Sequence, residues 1–219
     1  MIKVLLIGAT GLIGRQLLGR LLDRNIETVV LTRRPTGAEH PKLHELVAEG
    51  EDWAKLADEH PADVAISCLG TTWAQAGKSQ EAFRAVDQHL VLGVMKAAKE
   101  KGAHQAILVS AVGARATSPN FYLRVKGEVE RDLTALEFDR LDIMRPGLLR
   151  GERDAGSRTG EGIATLLSPI TDVLMSVGPF RRFRSIDSGQ VAKAIFALTG
   201  KSGKGRFIHE NDAILRLSN

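Results

Sequence analysis

Short apolar runs alternate with longer stretches of helical periodicity along most of this 219-residue chain. Lys3–Ile7 reads as a first, buried strand. Beyond it Ile13, Leu17, Leu18, Leu21 and Leu22 recur at the spacing of one helix face, with Asn25 placed to stop the helix. Residues 28–31 predict a second strand, 43–48 a weaker third, and the stretch around Trp53 and Leu56 a short helix. Residues 64–68 predict a fourth strand. Phe83, Val86, Leu90, Val94 and Ala97 then mark one face of a long helix that runs out near Gly102. Residues 106–109 predict a fifth strand, 121–136 a helix, and 141–144 a sixth strand. Residues 150–162 are polar and glycine-rich and predict a loop. Helices are expected over 163–176 and 188–199, with a last strand at 206–209.

Strands joined through helices by short connections make a parallel sheet with helices on both faces. The expected fold is therefore α/β: a Rossmann-type doubly wound parallel sheet, one domain over 1–219 with a small C-terminal extension. Residues 150–219 are expected to form its substrate-side and C-terminal portion. Ligands of such sheets bind outside the carboxyl ends of the strands, so candidate chemistry is sought there.

Composition narrows the class only a little. Apolar residues make up 43% and charged residues 26%, the balance of a globular chain. No apolar run nears the roughly 20 residues needed to span a bilayer. The apolar start is cut by Gly8, Gly11 and Gly14, which reads as a strand rather than a secretory signal. The single cysteine, Cys68, excludes a disulfide framework and leads to the expectation of a cytoplasmic protein. The net charge is only +4, and basic and acidic residues interleave. The basic clusters at 181–184 and 201–206 read as solvated surface or an anion-facing loop, so no nucleic-acid or membrane partner is expected.

Between the first strand and the first helix stands Gly8-Ala9-Thr10-Gly11-Leu12-Ile13-Gly14. Glycine permits a tight turn, close approach of backbone to an anion, and tight helix–strand packing. The helix start then offers free N–H groups and a positive dipole end to a pyrophosphate. Gly8, Thr10, Gly11, Leu12, Ile13 and Gly14 are therefore the expected pyrophosphate cradle of a nicotinamide dinucleotide. The second strand ends in Thr32-Arg33-Arg34 without the carboxylate that an NAD site places on the ribose. Guanidiniums suit a 2′-phosphate, so Arg33 and Arg34 favour NADP(H) over NAD(H).

Tyr122 and Lys126 lie four apart on a predicted helix, hence on one face. A phenol, with an ordinary pKa of about 10, becomes a usable acid–base group beside an ammonium and an oxidised nicotinamide. Lys126 could also hydrogen-bond the nicotinamide ribose.

With these residues in place the chain resembles the atypical short-chain dehydrogenases/reductases, in the group related to the Tat-interacting protein. The resemblance rests on the glycine turn, D-V-A-I-S-C-L-G-T-T over 63–72, Val109-Ser110, Y-L-R-V-K-G-E-V-E over 122–130, and Arg145-Pro146-Gly147. It implies that Tyr122 donates a proton to a carbonyl with Lys126 as its partner. It also implies that Leu69, Gly70 and Thr71 approach the cofactor and that Pro146 and Gly147 line its nicotinamide end. One departure stands out. The superfamily polarises the carbonyl with the second serine of a pair, and here the pair is Ser110-Ala111. Ser110 is kept as the third catalytic candidate.

Several other features carry less. Asp87 reads as a structural or solvated carboxylate. Six residues instead of four separate Gly70 from Gly77, against a P-loop. His40 and His44 flank Pro41 without further ligands, so no metal is expected. Cys68 reads as a packed small hydrophobe. The expected function is an NADPH-dependent reductase of a small carbonyl compound, with a homodimer among the assemblies open to it. An NADP(H)-binding regulatory or scaffold protein with little turnover remains the alternative.

Overall fold

The computed structural model describes residues 2–150 and 183–219. Its core is a seven-stranded sheet in the order β3-β2-β1-β4-β5-β6-β9, every neighbouring pair parallel. The strands are β1 (Lys3–Ile7), β2 (Glu27–Thr32), β3 (Leu43–Val47), β4 (Val64–Ser67), β5 (Gln105–Val109), β6 (Arg140–Arg145) and β9 (Gly205–Glu210). Helices α1 (Leu12–Asp23), α2 (Trp53–Glu59), α3 (Gln80–Arg84), α4 (Val91–Glu100) and α5 (Phe121–Thr134) connect the first six strands of this sheet. Chain order reverses between β1 and β4, so the switch point of the doubly wound sheet lies there.

The alternation of side chains along buried strands builds two apolar layers. On one face Val4 and Leu6 of β1 pack with Ile13, Leu17 and Leu21 of α1. On the other, Leu5 and Ile7 pack with Trp53, with Val94 and Met95 of α4, and with Val129 and Leu133 of α5. Burying a side chain of this size contributes about 1.5–3 kcal/mol, which is what holds the amphipathic helices to the sheet.

The C-terminal residues complete the first layer. Helix α6 (Ser188–Leu198) lies along α1, where Gln16 donates to the Ser188 hydroxyl at 2.8 Å. Strand β9 adds to β6, and α7 (Asn211–Leu217) follows it. A small parallel pair, β7 (Leu149–Arg150) with β8 (Ile186–Asp187), stands apart from the main sheet. The α7 helix and this pair are too short to leave a periodic signal in the sequence. The loop expected beyond Arg150, the helix expected at 163–176 and the arginines at 181 and 182 lie outside the described residues.

The long helix expected from Phe83 to Gly102 is present, but its face is not the expected one. A wider π-type segment, Ala85–Leu90, joins α3 to α4. The extra residue in that turn rotates the helix, so the buried positions run Phe83, Asp87, Val91, Val94 and Met95 rather than through Val86 and Leu90. Asp87, four residues on from Phe83 and so on its face, is turned inward and 1% exposed.

At the amino ends of the strands a buried polar node ties β5, β6 and β9 together. Asp142, fully buried on β6, accepts hydrogen bonds from Arg140 at 2.7 and 2.9 Å, from Gln105 at 2.9 Å, and sits 2.9 Å from His209 Nε2. Gln105 also donates to the Leu198 carbonyl and accepts from the Gly200 N–H, which fixes the turn after α6. Burial opposes charge on Asp142, but its hydrogen bonds to His209, Arg140 and Gln105 win and hold its carboxyl below the usual range. A depressed carboxyl adds stability above its unfolded pKa, and that contribution is lost as pH falls through the folded value. Asp142→Asn should therefore cost about 3 kcal/mol at pH 7, with a gap to the parent that narrows below pH ~4. Urea unfolding across that pH range checks it; a gap that stays constant would remove the carboxylate from the account.

Candidate functional site

The glycine turn lies where the strand order reverses. Gly8 adopts φ +82°, and a Cβ there would come within 2.5 Å of the Cys68 carbonyl carbon and the Leu69 nitrogen. A Cβ on Gly14 would fall 2.1 Å from the Gly8 carbonyl oxygen. These two glycines are required by the packing of the turn itself, and they bring the start of α1 against the end of β4. Gly11 and Gly70 behave differently, since a Cβ on either meets nothing closer than 3.4 Å. Nothing among the described residues demands that they be bare, and both are exposed. Helix α1 begins at Gly11 with no side-chain cap and no acidic residue in its first turn. Its leading N–H groups lack intrahelical acceptors and carry the positive end of the helix dipole. An uncapped helix start beside two bare, open glycines fits the pyrophosphate of a dinucleotide.

The loop after β4 is pinned from beneath. Asp87 accepts the Thr71 N–H at 2.7 Å and pairs with the Lys126 ammonium at 2.7 Å. Both side chains are nearly dry, Lys126 at 7% and Asp87 at 0%. Although burial works against its charge, the Asp87 carboxylate, helped by Tyr122 and Glu130, holds the Lys126 ammonium above the usual lysine range. A Cβ on Gly70 would lie 3.6 Å from both Asp87 Oδ1 and Lys126 Nζ, so this pair forms the floor of the exposed glycine loop. Tyr122, one turn before Lys126, is 41% exposed, its ring set edge-on against the buried Phe83 at 5.9 Å. Of the expected tyrosine–lysine pair, Lys126 lies beside Gly70, with Tyr122 one turn before it on the same helix. Asp87, read from the sequence as structural or solvated, is structural but not solvated.

Ser110 is engaged by a neighbouring carboxylate. It is 5% exposed, and its hydroxyl donates to Glu130 Oε1 at 2.5 Å. Glu130 in turn accepts both nitrogens of the Arg145 fork, at 2.9 and 2.5 Å. Expected from the sequence as a carbonyl-polarising group, Ser110 has its proton committed to a buried carboxylate, and among the described residues no hydrogen bond links it to Tyr122. Pro146 and Gly147 follow β6 at the same end of the sheet. The Pro146 carbonyl accepts from Val112, and Gly147 donates to Asn211. A Cβ on Gly147 would lie 2.2 Å from the Arg184 carbonyl, so that glycine is bare because another chain segment crosses it. Arg33 and Arg34 are exposed at the carboxyl end of β2, where the Thr32 hydroxyl donates to the Arg34 carbonyl and turns the backbone.

A profile of NAD(P)H-binding proteins matches residues 8–201. The chain belongs to this NAD(P)H-binding family. Within it, the mitochondrial protein FMP52 of Candida albicans is 34% identical over 98% of this chain and 97% of its own length. Protein HTATIP2 of Rattus norvegicus is 38% identical over 74% of this chain and 68% of its own. These relatives bear out the resemblance to the atypical short-chain dehydrogenase/reductase group. Among solved structures, a putative NAD-dependent epimerase/dehydratase from Bacillus halodurans superposes with a TM-score of 0.71 at 22% identity, covering 100% of this chain and 99% of that one. WbmH of Bordetella bronchiseptica, solved in complex with NAD+, does so with a TM-score of 0.71 at 15% identity, covering 100% and 79%. At such identities the likeness is one of fold, and the fold is of the Rossmann type.

The relatives also correct one expectation. FMP52 proteins of three fungi are named mitochondrial, which overturns the cytoplasmic assignment. The physical reason is that a lone unpaired cysteine reports a reducing environment, not an address. Cys68 itself packs against the α1-side core, and burial pushes its thiol up to about 12, as expected of a packed hydrophobe rather than a nucleophile. Among the described residues no helix is long and apolar enough to cross a membrane.

The turn gives a direct test of this family's binding site in the chain. Gly8→Ala forces both a strained φ and a backbone clash, so it should lower stability by about 2 kcal/mol or more and weaken dinucleotide binding at least tenfold. Gly11→Ala, with room for its methyl, should leave stability within about 0.5 kcal/mol. Thermal unfolding and a dinucleotide titration distinguish the two; equal losses of stability would mean that the turn is not closed at Gly8.

Proposed function

We propose that this protein is an NADPH-dependent reductase of a small carbonyl compound, with Tyr122 as the proton donor. The observation that carries the reading is the placement of a solvent-open phenol one helical turn from a buried, charged Lys126, beside the exposed glycine loop. Gly8, Thr10, Gly11, Leu12, Ile13 and Gly14 would hold the pyrophosphate at the uncapped helix start. Leu69, Gly70 and Thr71 would flank the cofactor from the β4 side, and Pro146 and Gly147 would border its nicotinamide end. Arg33, with Arg34 beside it, would take the 2′-phosphate through charge-assisted hydrogen bonds; neither is engaged by a carboxylate among the described residues.

The reduced nicotinamide supplies a hydride to the carbonyl carbon when bound. Tyr122 gives its proton to the carbonyl oxygen, yielding the alcohol, and recovers a proton from water. Lys126 faces the negative charge that grows on the phenol oxygen as that proton leaves, and Asp87 fixes the ammonium in place. Asp87 also holds the Thr71 N–H, so one carboxylate orients both the lysine and the cofactor loop. Ser110, bound to Glu130, acts as a structural link between β5, α5 and β6. That engagement, with Ala111 next to it, is also what favours the second reading, an NADP(H)-binding regulatory or scaffold protein with little turnover. A carbonyl panel followed by NADPH absorbance separates the two.

Tyr122→Phe should lower kcat by about a hundredfold or more while the Kd for NADPH stays within about twofold, since general acid catalysis contributes about 10²–10⁴. Retained turnover would exclude Tyr122 as the donor. Arg33→Ala should raise the Kd for NADPH by about tenfold and leave that for NADH nearly unchanged. Parallel weakening of both cofactors, measured by fluorescence titration, would take Arg33 off the 2′-phosphate.

A further inference from the structure

Trp73 is a large apolar side chain for which the reaction above gives no role. It is 43% exposed, whereas the other tryptophan, Trp53, is 2% exposed and donates its indole N–H to the Ala48 carbonyl. The loop that carries it is nevertheless fixed. Thr72 and Gln75 bond each other through backbone and side chain, the Ala76 N–H returns to the Thr72 carbonyl, and the Lys78 N–H returns to the Trp73 carbonyl. Two residues before the indole, Thr71 is tied to Asp87, and Asp87 to Lys126. Trp73 therefore stands on a loop anchored to the floor beside Tyr122.

The ring contacts lead the same way. The indole meets Phe121 edge-on at 5.7 Å, Phe121 meets Phe83 at 5.6 Å, and Phe83 meets Tyr122 at 5.9 Å. The Phe121 ring also lies under the guanidiniums of Arg84 and Arg124, at 5.6 and 5.8 Å. Both cations are already engaged, Arg84 by Gln88 and Glu128, and Arg124 by the carbonyls of Ser118 and Pro119. Trp73, Phe121, Phe83 and Tyr122 thus form a run of edge-on rings, and the two guanidiniums over Phe121 are hydrogen-bonded by their neighbours.

We infer that Trp73, with Phe121 behind it, is a specificity-determining wall of the substrate site, and that the substrate is a planar aromatic aldehyde or ketone. The inference rests on the reading of Tyr122 as proton donor. A planar ring against the open indole gains offset or edge contacts that a puckered ring of equal size does not. A wall fixed before the substrate arrives spends little ordering entropy in binding it.

The test compares benzaldehyde with cyclohexanecarbaldehyde as substrates of the full chain with NADPH, in the parent and in Trp73→Ala. Taking the ratio between parent and variant cancels the different intrinsic reactivities of the two aldehydes. Trp73→Ala should raise KM for benzaldehyde by about tenfold with kcat nearly unchanged, and should shift the saturated aldehyde by less than about threefold. Equal effects on both, or none on either, overturn the wall. A second measurement holds if no carbonyl turns over. Acetophenone is titrated against tryptophan emission in the parent and in Trp73→Phe, with NADP+ present. Saturable quenching that the variant loses supports the wall even where the reductase reading fails. Quenching that is only linear, or the same in both proteins, overturns it.

Discussion

The contact on which the rest of the molecule depends is the approach of Gly8 to the chain leaving β4. With atoms where a Cβ would sit 2.5 Å from the Cys68 and Leu69 backbone, β1 and β4 can end side by side only if position 8 carries no side chain. Gly14 meets the same constraint from the helix, 2.1 Å from the Gly8 carbonyl. Together they put the first turn of α1, uncapped and free of acidic residues, at the switch point of the sheet. Every further element of the site is placed relative to that turn. The glycine loop at Gly70 continues from the strand that Gly8 touches, and the helix carrying Tyr122 and Lys126 packs behind that loop.

A second constraint is electrostatic. Burying Lys126 or Asp87 alone would leave a charge in a dry layer, and breaking such a pair by removing one partner costs about 3–5 kcal/mol. The two satisfy each other, and Asp87 uses its remaining oxygen on the Thr71 N–H. The pair thus joins the helix that carries the phenol to the loop that flanks the cofactor. Asp87 comes from the Phe83 face of its helix, within the π-type turn at Ala85–Leu90. Wider turns of this kind often mark functional sites, and here one carries the carboxylate that meets the buried lysine.

Charge is arranged differently at the two ends of the sheet. At the amino ends, Asp142 gathers Arg140, Gln105 and His209 and closes the β5–β6–β9 edge. At the carboxyl ends, Glu130 gathers Ser110 and Arg145, while Gly11, Gly70, the phenol and Arg33 stay open to solvent. The first node spends its polar groups on stability. The second spends some on framing the site and leaves the rest for ligands, the division expected of a doubly wound sheet that binds at one end.

The sequence by itself determined the alternation of strands and helices, the parallel sheet, the glycine turn and the tyrosine–lysine spacing. These follow from local periodicity and from residue types with a single use, and the structure keeps them to within a residue or two. Tertiary structure alone decided which way side chains separated in sequence would face. The pairing of Asp87 depends on Lys126 from another helix, the engagement of Ser110 on a glutamate 20 positions away, and the bareness of Gly147 on the chain passing at Arg184. The small β7–β8 pair and α7 are held by neighbours rather than by their own pattern, so the sequence left no mark of them. Periodicity carries the frame because each element has its own hydrophobic face; the site is built between elements, where only packing sets the partners.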